Sequence, residues 1–181
     1  MRGQKRVRVG VTMGDPAGIG PEIALAAVAD RRVADACEVV LYGPRTPSER
    51  ARFTPGVLSA DAGRVALAAV ERAAADALAG RLDAIATGPI NKQALKLAGS
   101  RWLGHTELLG HLTGSREVAM MFYSPRLSVV LATVHVPLSM VPQLLTQARV
   151  EAVVSLAAAE LPRFGVVKPR LAVAGLNPHA G

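Results

Sequence analysis

At 181 residues and 18.8 kDa the chain can fill one domain with a real core, or one domain and part of another. A single cysteine, Cys37, excludes an internal disulfide and a multi-cysteine zinc site and suits a reducing compartment, while no apolar run approaches the ~18 residues that span a bilayer. The net charge of +7 raises the question of nucleic acid, but outside Arg2, Lys5, Arg6 and Arg8 the basic residues are scattered with no aromatic-interleaved face, so a cytoplasmic protein without nucleic-acid or membrane partners is expected.

Half of the residues are hydrophobic but only 3% are aromatic, so a core must be built of Ala, Val, Leu and Ile, which suits helices laid on a parallel sheet. Val7 to Met13 predicts a β-branched strand. It runs into Gly14-Asp15-Pro16-Ala17-Gly18-Ile19-Gly20-Pro21, a shaped loop, with Pro21 at the first turn of a helix to Ala29. The glycine spacing is not the dinucleotide fingerprint GxGxxG. Asp15 could orient a cation or a substrate hydroxyl, or cap a turn. Glu38 to Tyr42 predicts a second strand ending at Gly43-Pro44, and Arg45 to Ser59 reads as loop. A long alanine-rich helix is expected from Gly63 to Ala79 with Gly80 at its C-terminus. Strand, helix, strand, helix, strand is the alternation of a parallel α/β sheet.

The stretch Ala84 to Glu107 organises the rest. Its apolar opening predicts a buried strand over Ala84–Thr87, broken at Gly88-Pro89. Asn91 and Lys92 follow, then a helical run from Gln93 to Leu97, a break at Gly99-Ser100, and the cluster Gly104-His105-Thr106-Glu107. A cation, an amide, an imidazole and a hydroxyl beyond the carboxyl end of one strand suit a small phosphorylated anion, the more so beside helix N-termini with free N–H groups. Thr106 is placed to cap a helix starting near Glu107, with His105 facing outward. A solvated lysine and a loop histidine fit the same spacing.

Beyond the helix ending at Thr113-Gly114, two apolar runs, Glu117 to Tyr123 and Leu127 to His135, are joined so tightly that they must be antiparallel. The second predicts a central strand with His135 at its tip. Helices are expected over Val141 to Gln147 and Val150 to Leu161, then a strand over Leu171 to Ala174 that delivers Asn177-Pro178-His179. His135 and His179 are candidate metal ligands, although a catalytic centre ordinarily needs a third, and two backbone-bonded histidines fit equally well.

Five segments in order, MGDPAGIGPE, TGPINK, GHTE, TVHVPL and LNPHAG, resemble the 4-hydroxythreonine-4-phosphate dehydrogenase family. The resemblance implies a mixed α/β sheet flanked by helices, of the isocitrate/isopropylmalate dehydrogenase type, with residues 1–181 forming the N-terminal portion of a two-lobed enzyme. It implies NAD-dependent oxidation of 4-phosphooxy-L-threonine with loss of carbon dioxide, on the route to pyridoxal 5′-phosphate, with NADP as the alternative cofactor. By the same resemblance His105 and Thr106 bind substrate and Asn91 and Lys92 line the pocket, with Asp15 a further pocket candidate from its place in the glycine-rich loop. His135 and His179 hold a divalent metal (Zn, Mg or Co) whose third histidine is absent from this chain, in a homodimer. The segment between Gly43 and Asp61 is short for the family. Two other readings stay open: a dehydrogenase of phosphoerythronate or phosphothreonate, and a truncated, non-catalytic phosphate- or metal-binding module. The isolated chain is expected to be inactive.

Overall fold

The computed structural model describes residues 6–102 and 104–179. The chain divides into two compact units, the first running to Ser115 and the second beginning at Arg116.

In the first unit β1 (Arg8–Thr12) lies between β2 (Glu38–Tyr42) and β3 (Ala84–Thr87), all parallel, in the order β2-β1-β3. Val9 stands opposite Val39 and Ala84, and Thr12 opposite Tyr42 and Thr87. Parallel neighbours need crossover connections. The helices α1 (Gly20–Ala29), α2 (Arg31–Ala36), α3 (Pro47–Arg50) and α4 (Ala60–Leu78) supply them, and α5 (Lys92–Leu97) and α6 (His105–Thr113) follow β3.

Helix α4 carries the core. Ser59 caps it by accepting from the Ala62 N–H at 3.1 Å, and Ala62, Ala66, Ala69, Val70, Ala73 and Ala74 recur at helical spacing on its buried face. Against that face Tyr42, Ala69, Ala73 and Leu82 form one cluster, with Val40, Ala77 and Ile85 packed on it. Small side chains let the elements approach closely: a Cβ on Gly63 would stand 2.0 Å from the Ala94 carbonyl oxygen of α5. The helix ends as expected beside Gly80, whose φ of +69° lets the Gly80 N–H reach the Ala77 carbonyl and the Arg81 N–H the Asp76 carbonyl. The segment from Arg45 to Ser59 is not all loop, because Thr46 and Glu49 form a reciprocal capping box that starts α3.

The second unit departs most from expectation. The two apolar runs are antiparallel, but only β4 (Met121–Phe122) and β5 (Val129–Val130) pair. The central strand expected over Leu127 to His135 is therefore two residues long and not buried. The Leu171 to Ala174 segment is not a strand either and is exposed. A hydrophobic run becomes a buried strand only where ladder partners lie on both sides, and no described strand of this unit offers them. His135 sits at φ +55°, in the left-handed region, and not at a strand tip.

A 3₁₀ turn (Leu138–Met140), α7 (Val141–Leu144), α8 (Gln147–Glu160) and a second 3₁₀ turn (Leu161–Phe164) complete the unit. Val153, Ala157 and Leu161 are its buried apolar residues. The Arg149 Nε donates to the Ala132 carbonyl at 2.8 Å and its guanidinium pairs with Glu117 at 3.4 Å, tying α8 to the segment that holds the hairpin. Among the described residues no helix is long and apolar enough to cross a membrane.

Candidate functional site

The carboxyl ends of β1, β2 and β3 converge in the first unit. Loop Gly14–Pro21 is a joint between strands. The Met13 N–H donates to the Tyr42 carbonyl (2.9 Å), Asp15 N–H to the Pro89 carbonyl (2.8 Å), Ala17 N–H to Asp15 Oδ1 (2.9 Å) and Gly18 N–H to the Asp15 carbonyl (3.0 Å). Gly14, at φ +71°, and Gly20 are required by contact: a Cβ would stand 2.1 Å from the Pro89 oxygen at the first and 1.8 Å from the Met13 oxygen at the second. With these donors spent inside the fold, the loop does not fit a dinucleotide pyrophosphate cradle. Asp15, 9% exposed, takes the turn role.

Asp15 touches the TGPINK segment through Pro89, so this much of the expected cluster is assembled. Asn91 is the N-cap of α5, its Oδ1 accepting from the Gln93 and Ala94 N–H groups at 2.9 and 3.1 Å. Lys92 is exposed at the first residue of α5 and forms no salt bridge among the described residues.

His105 and Thr106 differ from expectation. Helix α6 starts at His105, so Gly104 is the N-cap and contributes no side-chain hydrogen bond; Thr106 lies inside the first turn. His105 does not simply face outward. It is half-buried, its Nε2 is covered and has no hydrogen-bond partner among the described residues, and burial lowers its pKa, which keeps the imidazole neutral at pH 7. Adjacent helices differ at their starts: α5 has its first N–H groups satisfied by Asn91, whereas α6 has no side-chain cap from Gly104 and carries the Glu107 carboxylate in its first turn, folded back against Gly104. The fully buried Thr12, whose Oγ1 also has no hydrogen-bond partner among the described residues, escaped sequence reasoning. Its signal was a hydroxyl at the end of an otherwise apolar strand, just before a glycine turn.

His135 and His179 lie in the second unit and both are exposed. The His179 N–H donates to Asn177 Oδ1 at 3.0 Å, an Asx turn. Imidazole nitrogens are apt donors for a divalent metal, yet among the described residues no group of three or more His, Cys, Asp or Glu is placed to hold one. The residues described do not make a complete metal centre.

A parallel α/β sheet flanked by helices defines the class: an α/β protein of the kind that places small-molecule sites at the carboxyl ends of its strands. The chain belongs to the family described as pyridoxal phosphate biosynthetic protein PdxA, whose profile matches residues 16–181. It is 42% identical over 210 aligned positions to D-threonate 4-phosphate dehydrogenase of Salmonella typhimurium, covering 96% of this chain and 64% of that protein. It is 38% identical to 4-hydroxythreonine-4-phosphate dehydrogenase of Desulfosudis oleivorans, covering 97% and 63%. Among solved structures, a 4-hydroxythreonine-4-phosphate dehydrogenase from Klebsiella pneumoniae superposes with a TM-score of 0.88 at 38% identity, covering 98% of this chain and 66% of that one. The chain thus spans 63–64% of the length of these two curated relatives. Since 96% of 181 residues fill 210 aligned positions, the Salmonella protein also carries more residues within the matched stretch than this chain does.

Proposed function

We propose that the protein is an NAD-dependent dehydrogenase of a four-carbon hydroxy acid bearing a terminal phosphate, with D-threonate 4-phosphate as the first substrate and 4-phosphooxy-L-threonine as the second. The observation that carries the reading is His105 at the start of α6, its Nε2 buried with no hydrogen-bond partner among the described residues, in a chain whose relatives bear these names. The two substrates differ in a hydroxyl or an amine beside the carboxylate. The higher identity to the D-threonate enzyme favours the hydroxyl, and the family's description supports a place in pyridoxal phosphate synthesis for the amine.

In this reading the α6 N–H groups and the Thr106 hydroxyl hold an anionic group of the substrate, and Lys92 adds attraction from the start of α5. His105, kept neutral by burial, offers a directional hydrogen bond without a second charge. Asp15 and Asn91 fix the two loops that shape the pocket floor. Oxidation of the C3 hydroxyl removes a proton from oxygen and a hydride from carbon, and the resulting 3-oxo acid loses its carboxylate as carbon dioxide. NAD, with NADP as the alternative, supplies the hydride acceptor when bound. His135 and His179 are proposed as two ligands of a divalent metal (Zn, Mg or Co), and the described residues leave its coordination incomplete. A cytoplasmic homodimer and an isocitrate/isopropylmalate dehydrogenase-type fold belong to the same reading.

The test is NADH formation with each substrate in the presence of Zn²⁺, Mg²⁺ or Co²⁺. Turnover of D-threonate 4-phosphate ahead of the amine supports the order given. No turnover of either by a protein carrying this chain at the full length of its relatives overturns the dehydrogenase reading, and saturable binding without turnover points instead to a non-catalytic phosphate-binding module.

A further inference from the structure

Away from His105, a cavity of about 200 Å³ opens between the end of β2, α3 and α4. Gly43 and Pro44 form one wall, Val65, Ala68 and Ala69 another, and Glu49, Arg52, Phe53 and Arg72 its polar rim. It is smaller than the ~300 Å³ at which pockets for drug-sized ligands begin, so it suits a compact group.

Neither arginine forms an ion pair with its expected carboxylate among the described residues, although Arg72 still acts on Asp76 through space. Arg72 stands one helical turn before Asp76, the usual i,i+4 partner. That carboxylate is already occupied, accepting from the Tyr42 hydroxyl at 2.5 Å through one oxygen and from Arg81 at 2.6 and 3.0 Å through the other. Arg52 lies three residues after Glu49, whose Oε2 is turned back onto the Arg45 and Thr46 N–H groups at 2.8 and 2.9 Å. Neither the Arg52 nor the Arg72 side chain forms a salt bridge or a hydrogen bond among the described residues.

They are braced by rings instead. The Arg52 Cζ lies 5.9 Å from the Phe53 centroid, and the Arg72 Cζ 5.9 Å from the Tyr42 centroid. A cation held over an aromatic face keeps its N–H groups free, and a guanidinium presents them in a fork that matches phosphate oxygens. Two such forks on one small cavity outweigh the single negative charge of Glu49.

We propose that this cavity is an anion site for a phosphoryl group, distinct from the pocket at His105, with Arg52 and Arg72 as its two ligands. The phosphoryl group comes either as inorganic phosphate or as the head of a small phosphomonoester. The site needs no metal and no cofactor, and it stands whether or not the dehydrogenase reading does.

The test follows the arginine Nε–H resonances of the 181-residue chain during titration with sodium phosphate and, separately, with glycerol 1-phosphate, at ionic strength held constant with sodium chloride. The Arg52 and Arg72 signals are expected to move together on one saturating curve. Arg72→Gln is expected to weaken the response at Arg52 about tenfold, and Arg52→Gln to do the same at Arg72, the loss of one charge-assisted contact. A response to the ester alone supports the site and assigns it to organic phosphates; a response to both assigns it to the phosphoryl group itself. Signals that stay still, or that chloride moves equally, overturn the proposal, and because this readout uses the unsubstituted chain it does not depend on the variants folding.

Discussion

The two units of the molecule draw on the same aliphatic residues and use them differently. In the first, Met13, Tyr42, Val70, Leu82, Leu95 and Leu108 are buried around α4, and every strand has a parallel neighbour. In the second, Phe122, Leu127, Val129, Leu138, Val167 and Val173 remain exposed, and the sole ladder among its described residues is two pairs long. Apolar character alone does not make a core. The first unit has crossover helices that return each strand to the sheet; the second has hydrophobic segments without described strands to receive them, so burial falls to one face of α8.

Substitutions should sharpen this contrast, and chemical denaturation is the measurement. Leu95→Ala, which empties a side chain only 1% exposed, is expected to cost about 2–5 kcal/mol. Gly63→Ala should cost about 1–3 kcal/mol by pushing α5 away from α4, since nothing flexible lies at the new methyl. Asn91→Ala, which leaves two helix N–H groups without their acceptor, should cost about 1 kcal/mol. Phe122→Ala, in the second unit and 60% exposed, should change stability by no more than about 0.5 kcal/mol. A Phe122→Ala loss as large as that of Leu95→Ala would erase the distinction.

Acid offers a further division. Burial lowers the His105 pKa from its ordinary 6.5, so the folded state binds this proton less readily than the unfolded chain. Its contribution is full above pH 6.5 and is lost as pH falls from there through the lowered native value. Stability of the first unit should therefore decline below pH 6.5, and His105→Gln should flatten that part of the profile. An unchanged profile would mean that the ring is not buried in solution.

Much of the first unit was legible in the sequence because local and tertiary signals agree there. The β-branched strand before Gly14, the alanine periodicity of α4 and the glycine at its end each carry one meaning. The short α3 was missed because its capping box has no apolar run behind it. The residues LSVVLATVH misled because apolar continuity reports what a segment could do when paired, not whether a partner strand is present. At the site, residue types were readable but not their work. Asn91 and Asp15 proved to be side-chain acceptors for backbone N–H groups, while His105 became the more informative residue through burial, which no spacing rule reports. The arginines of the β2 cavity were invisible for a related reason, because the diversion of Asp76 and Glu49 is a property of side-chain geometry.

The functional account rests on the start of α6, with His105 and Thr106, as the place proposed to receive a phosphorylated hydroxy acid. The most direct measurement is a titration of D-threonate 4-phosphate into the 181-residue chain, following the His105 ring and the Thr106 amide by nuclear magnetic resonance. The account predicts that both move on one saturating curve while the Gln93 and Ala94 amides, held by Asn91, move far less. Binding that leaves His105 and Thr106 unmoved, or no binding at all, would contradict it.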